Sequence, residues 1–143
     1  MQNFIIKKFK QWSLPFSRFA IFIVYFWFGA LKVFAESPAN PLVDALLKQT
    51  LPGVTFAQFI VFFGVFEMLI GILFLLPRFT RLVMFLLLIH LTTTLMPLFV
   101  LPSATWQGFL VPTLEGQYII KNILIISAAM GIFAHTHILN KGR

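Results

Sequence analysis

The stretch FGVFEMLIGILFLLPRFTR, from Phe63 to Arg81, is almost entirely hydrocarbon, yet it contains a carboxylate, Glu67. It follows an apolar run and ends in a turn with a proline and two arginines. A helix needs about 20 apolar residues to cross the hydrocarbon core of a bilayer. The stretch therefore predicts a transmembrane helix that ends in a tight turn and carries an ionisable side chain inside the membrane.

The rest of the chain is also rich in hydrophobic residues and poor in charged ones. It has 143 residues, of which 59% are hydrophobic and only 10% are charged, whereas soluble domains carry about a quarter charged residues. We predict an all-α fold, a single integral membrane domain over residues 1–143 that forms a four-transmembrane-helix bundle. The predicted helices span about 18–35, 56–77, 79–101 and 117–137.

The net charge of +7 indicates orientation in a membrane rather than nucleic-acid binding. Loops 36–55 and 102–116 carry a single basic residue, Lys48. Lys32 and Lys121 lie inside predicted helices. The remaining basic residues precede the first predicted helix, fill the turn after the second or follow the fourth: Lys7, Lys8, Lys10, Arg18, Arg78, Arg81, Lys141 and Arg143. By the positive-inside rule, both termini are cytoplasmic, and we expect a multi-pass protein of a bacterial inner (plasma) membrane.

Two short amphipathic segments flank the first transmembrane helix. Residues 2–13 mix aromatic side chains with lysines, which predicts a cytoplasmic interfacial helix in contact with the lipid bilayer, ended by Pro15. Residues 41–50 predict a second amphipathic helix on the outer face, with Asn40 as its cap. The N-terminal pattern also resembles a secretory signal peptide, but Lys32 fits one poorly, and we treat residues 18–35 as a permanent helix.

The composition of the chain limits the kinds of redox and metal site that it can form. The chain has no cysteine, which excludes thiolate catalysis and Cys-ligated metal. Bis-histidine haem is not expected within one chain, because His90 lies mid-membrane while His135 and His137 lie at a helix end. No spacing of acidic residues and histidines resembles a dimetal site, so no metal site is predicted.

The ionisable groups inside the helices are the candidate site. At about 1.5 Å per residue, Glu67 and His90 both lie roughly 15 Å above the turn that joins their helices. We therefore predict that they meet, with a tentative role in proton transfer. Six further residues near this level or above it are candidate ligand-binding groups: Lys32, Lys121, Asn122, Tyr25, Trp27 and Tyr118.

Simpler interpretations remain open for these residues. A cluster of Glu, His and Lys can act only as structural glue between helices, and Lys32 can snorkel to the headgroups. Gly64 and Gly71, on either side of Glu67, predict a close approach by a neighbouring helix.

Three motifs resemble the DoxX/DoxD-like superfamily of small four-helix membrane proteins: FWFGALKVF (Phe26–Phe34), EMLIGILFLLPRFTRL (Glu67–Leu82) and EGQYIIKNILII (Glu115–Ile126). The resemblance covers about residues 18–135 and matches Lys32, Glu67, Gly71, Arg81, Lys121 and Asn122. It implies the four-helix membrane fold. Members of the superfamily resemble subunits of a thiosulfate:quinone oxidoreductase, are linked to oxidant stress, or act as membrane-receptor assembly factors.

Two functions therefore compete, and whether the chain is an enzyme stays open. The first is a quinone-interacting accessory subunit of a membrane redox system, which draws electrons from another subunit. The second is a non-enzymatic assembly, chaperone or lipid- or small-molecule-binding protein, and a proton or solute pathway is a third interpretation. A homo-oligomer is compatible with each of them.

Overall fold

The structure is a computed structural model that describes the backbone of residues 2–34 and 37–141 and the side chains of residues 4–34 and 37–136. Most of the described chain is helical. Four segments are long and apolar enough to cross a membrane: Phe4–Phe34, Phe56–Phe74, Pro77–Val100 and Leu114–Thr136. The prediction of four helices that are long and apolar enough to cross a membrane is therefore confirmed for the described residues. Lys141 and Arg143 have no described side chain.

The first helix, α1 (Gln2–Phe34), runs without a break. Residues 2–13 are helical as predicted, but they continue into the first long helix without the predicted break at Pro15. Pro15 lies inside the helix. A proline removes one backbone hydrogen bond, but the helix continues on both sides. Pro15 lies on the exposed surface, where the carbonyl that loses its partner can be solvated.

The second helix, α2 (Asn40–Thr50), matches the predicted amphipathic segment. Pro41 lies in its first turn, where its missing N–H costs nothing. Ala39 rather than Asn40 is the N-cap residue, and no side chain caps the helix. Leu47 is the buried residue of its apolar side.

The third and fourth helices form the expected antiparallel hairpin but end earlier than predicted. Helix α3 (Phe56–Phe74) is joined to α4 (Thr80–Leu95) by a 3₁₀ turn over Pro77–Phe79. The hydroxyls of Thr93 and Thr94 donate to the carbonyl of His90, at 2.7 and 2.9 Å. Such bonds compete with the helix ladder, and a short helix, α5 (Pro97–Val100), follows one residue later.

The connection to the last helix contains elements that we did not predict. Helix α6 (Pro102–Thr105) leads into a two-stranded antiparallel hairpin, β1 (Trp106–Gly108) and β2 (Val111–Pro112). Leu110 in its turn has φ 57°, a left-handed conformation that is uncommon for a side chain of this kind.

The predicted helix over 117–137 is two helices, α7 (Leu114–Ile120) and α8 (Asn122–Lys141), which meet at Lys121. The Asn122 amide donates to the carbonyls of Tyr118 and Ile119, at 3.2 and 3.1 Å. The side chain thus competes with the backbone at the point where α7 ends.

Helices α1 and α3 make the most extensive contact in the bundle, and glycines make it close. A Cβ built on Gly64 would lie 2.6 Å from the carbonyl oxygen of Gly29, and one on Gly29 would lie 2.5 Å from that of Gly64. A Cβ on Gly71 would lie 3.0 Å from the amide nitrogen of Phe26. The close approach expected at Gly64 and Gly71 is therefore confirmed.

Arg18 connects the helices at one end of the bundle, which we call the Arg18 end. The Arg18 guanidinium is buried and donates to the carbonyl of Phe74 at 2.9 Å, to the Thr80 hydroxyl at 2.8 Å and to the Thr136 hydroxyl at 3.0 Å. Thr80 in turn donates to the carbonyl of Pro77 at 2.7 Å. A single side chain of α1 thus connects α3, α4 and α8. The opposite end, with β1 and β2, is called the hairpin end.

Candidate functional site

The centre of the site is the Glu67 carboxylate, which contacts two basic groups. Its Oε2 accepts from Nζ of Lys32 at 2.6 Å, and its Oε1 lies 2.9 Å from Nε2 of His90. Glu67 and Lys32 are only 6% and 8% exposed. The predicted meeting of Glu67 and His90 is therefore confirmed, and Lys32, which we placed higher, joins them.

The hydrogen bonds continue through the imidazole. The Tyr25 hydroxyl lies 3.2 Å from Nδ1 of His90, and the Thr94 hydroxyl lies 3.4 Å from the same atom. A carboxylate only accepts hydrogen bonds, so Nε2 carries the hydrogen that points at Glu67. In this tautomer Nδ1 accepts a hydrogen bond from the Tyr25 hydroxyl. The result is a continuous chain, Tyr25–His90–Glu67–Lys32, which we call the polar chain.

The helix packing explains why these four side chains meet. Tyr25 and Lys32 are seven residues apart and share one face of α1. Gly29 lies between them, at the point where α1 crosses α3. There it faces Gly64, which lies one turn before Glu67 in α3. A Cβ at Gly64 would lie 3.0 Å from Cβ of Lys32. The close crossing therefore brings the Lys32 ammonium within reach of the carboxylate.

Aromatic rings surround the imidazole. The Phe63 ring stacks on His90 with centroids 5.1 Å apart and planes at 14°, and Phe59 stacks on Phe63 at 5.6 Å. Phe66 lies 6.3 Å from the imidazole. Nζ of Lys32 lies 5.6 Å from the centre of the Phe63 ring. These rings keep water away from the ion pair, which strengthens the attraction between its charges.

A buried ion pair is costly to break. Removing one partner leaves an uncompensated charge and costs about 3–5 kcal/mol in soluble proteins. Both carboxylate oxygens of Glu67 are bonded, and each basic group that touches them is buried. The polar chain is therefore a closed unit that locks α1, α3 and α4 together, and its imidazole and carboxylate are groups that can hold a proton.

The structure does not bring the other predicted ligand-binding residues to the polar chain. Trp27 is 63% exposed on the far side of α1, and Tyr118 is 62% exposed. Lys121 is exposed, with its ammonium 5.0 Å from the Tyr118 ring, and half-buried Asn122 bonds only to its own helix turn. The side chains of the polar chain come from three helices rather than four.

Some residues at the site were not predicted. Gly29 could have been identified from its position three residues before Lys32, as in the Gly-x-x-Lys motif. Phe63 carried no signal, because phenylalanines occur throughout α1 and α3. Thr94 is one of three consecutive threonines, and the sequence does not show which of them faces the imidazole. Arg18 looked like a loop residue because it precedes an apolar run, and its burial depends on side chains from two distant helices. Among the residues that the structure describes, no group of three or more His, Cys, Asp or Glu side chains could hold a metal ion.

The fold and the site define a class of protein: a bundle with four helices suited to a membrane and a buried polar chain between three of them. Comparisons with protein-family models, with curated proteins and with solved structures found no match to this chain. The proposed function therefore rests on the polar chain and on the aromatic rings beside it.

Proposed function

We propose that the chain is a DoxX-like, multi-pass protein of a bacterial inner membrane and an accessory subunit of a quinone-linked redox system. The polar chain would exchange protons with a quinone held at the aromatic side of α3. The observation that carries the proposal is the contact of Glu67 with both Lys32 and His90, beside a stack of aromatic rings.

Membrane placement is supported by length, composition and charge. The four long helices are apolar enough to span a bilayer. Lys7, Lys8 and Lys10 precede the Arg18 end, and Arg78 and Arg81 lie at it, whereas Asp44, Lys48 and Glu115 belong to the opposite end. With the basic end in the cytoplasm, both termini are cytoplasmic and the β1–β2 hairpin is outside.

Proton exchange is supported by the chemistry of the polar chain. Quinone reduction to quinol takes up two electrons and two protons. The imidazole of His90 and the carboxyl of Glu67 can pass a proton, and Lys32 stabilises the carboxylate that remains. Since the chain has no cysteine and its sequence has no evident flavin motif or haem pair, the electrons would come from a partner subunit.

Quinone binding is supported by the aromatic side of α3. Half-buried Phe63 and Phe66 both lie near His90, and Phe62, which is exposed, stacks on Phe66 with nearly parallel planes at 5°. Flat rings pack favourably on such surfaces. The rings thus extend from the imidazole to the outer surface of the bundle, where a lipid-soluble ring compound can approach.

A photoreactive quinone, used on protein in lipid nanodiscs, tests the proposal. We expect labelling to map to the α3 segment Phe59–Phe66 and to fall when unmodified quinone competes. Phe63→Leu should reduce it several-fold. Phe85→Leu is the matched control, because Phe85 is an exposed ring on α4 away from these stacks, and it should label as the wild type does. Labelling spread evenly over the lipid-facing helices would overturn the proposal.

The closed geometry of the polar chain favours a second candidate, a non-enzymatic assembly or lipid-binding protein. Both oxygens of Glu67 are bonded within the protein, as expected for structural glue between helices. In that case Glu67→Gln should lower the stability, while a membrane client or bound lipid stays associated. Loss of quinone labelling in a Glu67→Gln protein that keeps its fold would favour the redox subunit instead.

A further inference from the structure

Helix α1 is longer than the bundle that it belongs to. Its 33 residues correspond to about 50 Å, against about 30 Å for the hydrocarbon core of a bilayer. Arg18 is the first fully buried residue of α1, and residues 4–13 are all exposed. The first three turns of the described helix therefore project beyond the Arg18 end.

A row of apolar side chains follows one side of this helix over its whole length. Successive members are alternately four and three residues apart: Ile5, Phe9, Trp12, Phe16, Phe19, Ile23, Phe26 and Ala30. Alternating steps of four and three residues repeat every seven residues, which is the heptad repeat of a left-handed coiled coil. We call this set the α1 stripe. It is strongly exposed in the projecting part, with Phe9 at 73% and Trp12 at 65%, and also at Phe16 beside it, at 70%.

The α1 stripe faces away from the bundle. At 100° per residue, it lies on the opposite side of α1 from Arg18, Tyr25 and Lys32, which are buried against the other helices. With α1 along the membrane normal, the hydrocarbon of a bilayer covers at most about 30 Å of the stripe. A cover for the whole stripe must be about as long as α1 itself.

We propose that this cover is a second copy of the chain, and that two α1 helices pair side by side in parallel through the α1 stripe. A two-fold axis along the membrane normal keeps both copies in the same orientation and places the same residues opposite each other. The projecting aromatic side chains then lie in a helix–helix interface along the part of α1 that lipid does not reach.

The charges on the projecting segment agree with this pairing. In this heptad repeat, Lys7 and Lys10 fall on the outside of the pair. Lys8 falls beside the stripe, where a parallel pair places it opposite Ser13 of the second copy rather than a lysine. The lysines therefore do not oppose one another across the interface.

The shape of the α1 surface also agrees with the pairing of two α1 helices. A groove of about 320 Å³ lies on this side of the helix around Ala30, between larger side chains that include Phe26, Trp27 and Phe34. A small residue between large ones forms the kind of hole that a side chain of a facing helix fills. The groove continues the stripe toward the C-terminal end of α1.

Single cysteines on this cysteine-free chain test the proposal. The full-length protein is placed in vesicles of phosphatidylethanolamine and phosphatidylglycerol, and disulfide formation is induced by copper phenanthroline. We expect disulfide-linked dimers for Phe9→Cys, Trp12→Cys and Phe16→Cys, several-fold more than for the matched controls Lys7→Cys and Gln11→Cys on the other side of the helix. The linked fraction should fall when the protein is diluted with lipid.

A second measurement on the same variants shows whether lipid, rather than a second copy of the chain, covers the α1 stripe. Equal linking at stripe and control positions would overturn the proposal. Labels at positions 9 and 16 that are shielded from a water-soluble quencher, without dimers, would also overturn it and assign the stripe to lipid. The α1 stripe is on the opposite side of α1 from the polar chain, so loss of dimers in Phe9→Glu should leave the quinone labelling of α3 unchanged. The two proposals therefore fail separately.

Discussion

Nε2 of His90 lies 2.9 Å from Oε1 of Glu67, although the two residues are 23 positions apart in the chain. They stand at equal distance from the turn between α3 and α4, so the hairpin itself brings them to one level. The other oxygen of the same carboxylate is bonded to Lys32 of α1. Glu67 is thus one point, besides Arg18, at which side chains connect the first three long helices.

The Lys32–Glu67 pair should show strong coupling in a double-mutant cycle. Glu67→Met leaves the buried Lys32 without its carboxylate, whereas Lys32→Met leaves Glu67 with His90 as its remaining basic contact. Each variant should lower the stability, by up to about 3–5 kcal/mol. The double variant removes both charges and should be more stable than either single variant. Unfolding in detergent measures all four proteins. Additive losses would mean that the two side chains do not interact.

Gly64 should not tolerate a larger side chain. Leucine at this position would force α1 and α3 apart, since a Cβ alone would lie 2.6 Å from a backbone oxygen. Overpacking of this kind costs about 1–3 kcal/mol or more. Gly131→Leu is the matched control, because nothing lies within 4 Å of a Cβ at that helical position. Equal melting temperatures for the two variants would contradict the close crossing.

Arg18 should stabilise the end of the bundle that it joins. Arg18→Met removes three hydrogen bonds from one charged group, and bonds to charged groups are worth about 1.5–3 kcal/mol each. We expect a lower melting temperature than for Arg81→Met, a control at an exposed position of the same end. A higher melting temperature in Arg18→Met would show that burying the charge costs more than its bonds return.

Sidedness can be tested by labelling cysteines from outside the cell. Phe109→Cys lies at the tip of the β1–β2 hairpin, where Phe109 is fully accessible, and should react with a membrane-impermeant reagent. Arg78→Cys, in the turn between α3 and α4, should react only after the membrane is opened. The reverse pattern would place both termini outside.

Much of this architecture was predictable because the lengths of the apolar runs determine it. The four long helices and the Glu67–His90 contact follow from counting residues along helices of known rise. The division at Lys121 and the β1–β2 hairpin were not predictable, because they depend on local side-chain bonds such as those of Asn122. Lys121 failed to join the polar chain because depth alone does not determine which way a side chain faces.

The central claim is that Glu67 exchanges a proton when a quinone is reduced beside it. Infrared difference spectroscopy on the protein in quinone-containing nanodiscs measures this directly, by following the carboxyl band as an electrode reduces the quinone. We expect a change in that band that disappears in Glu67→Gln and shifts in His90→Leu. A spectrum with no carboxyl change, in protein that still labels with the photoreactive quinone, would contradict it and leave Glu67 as a structural link between helices.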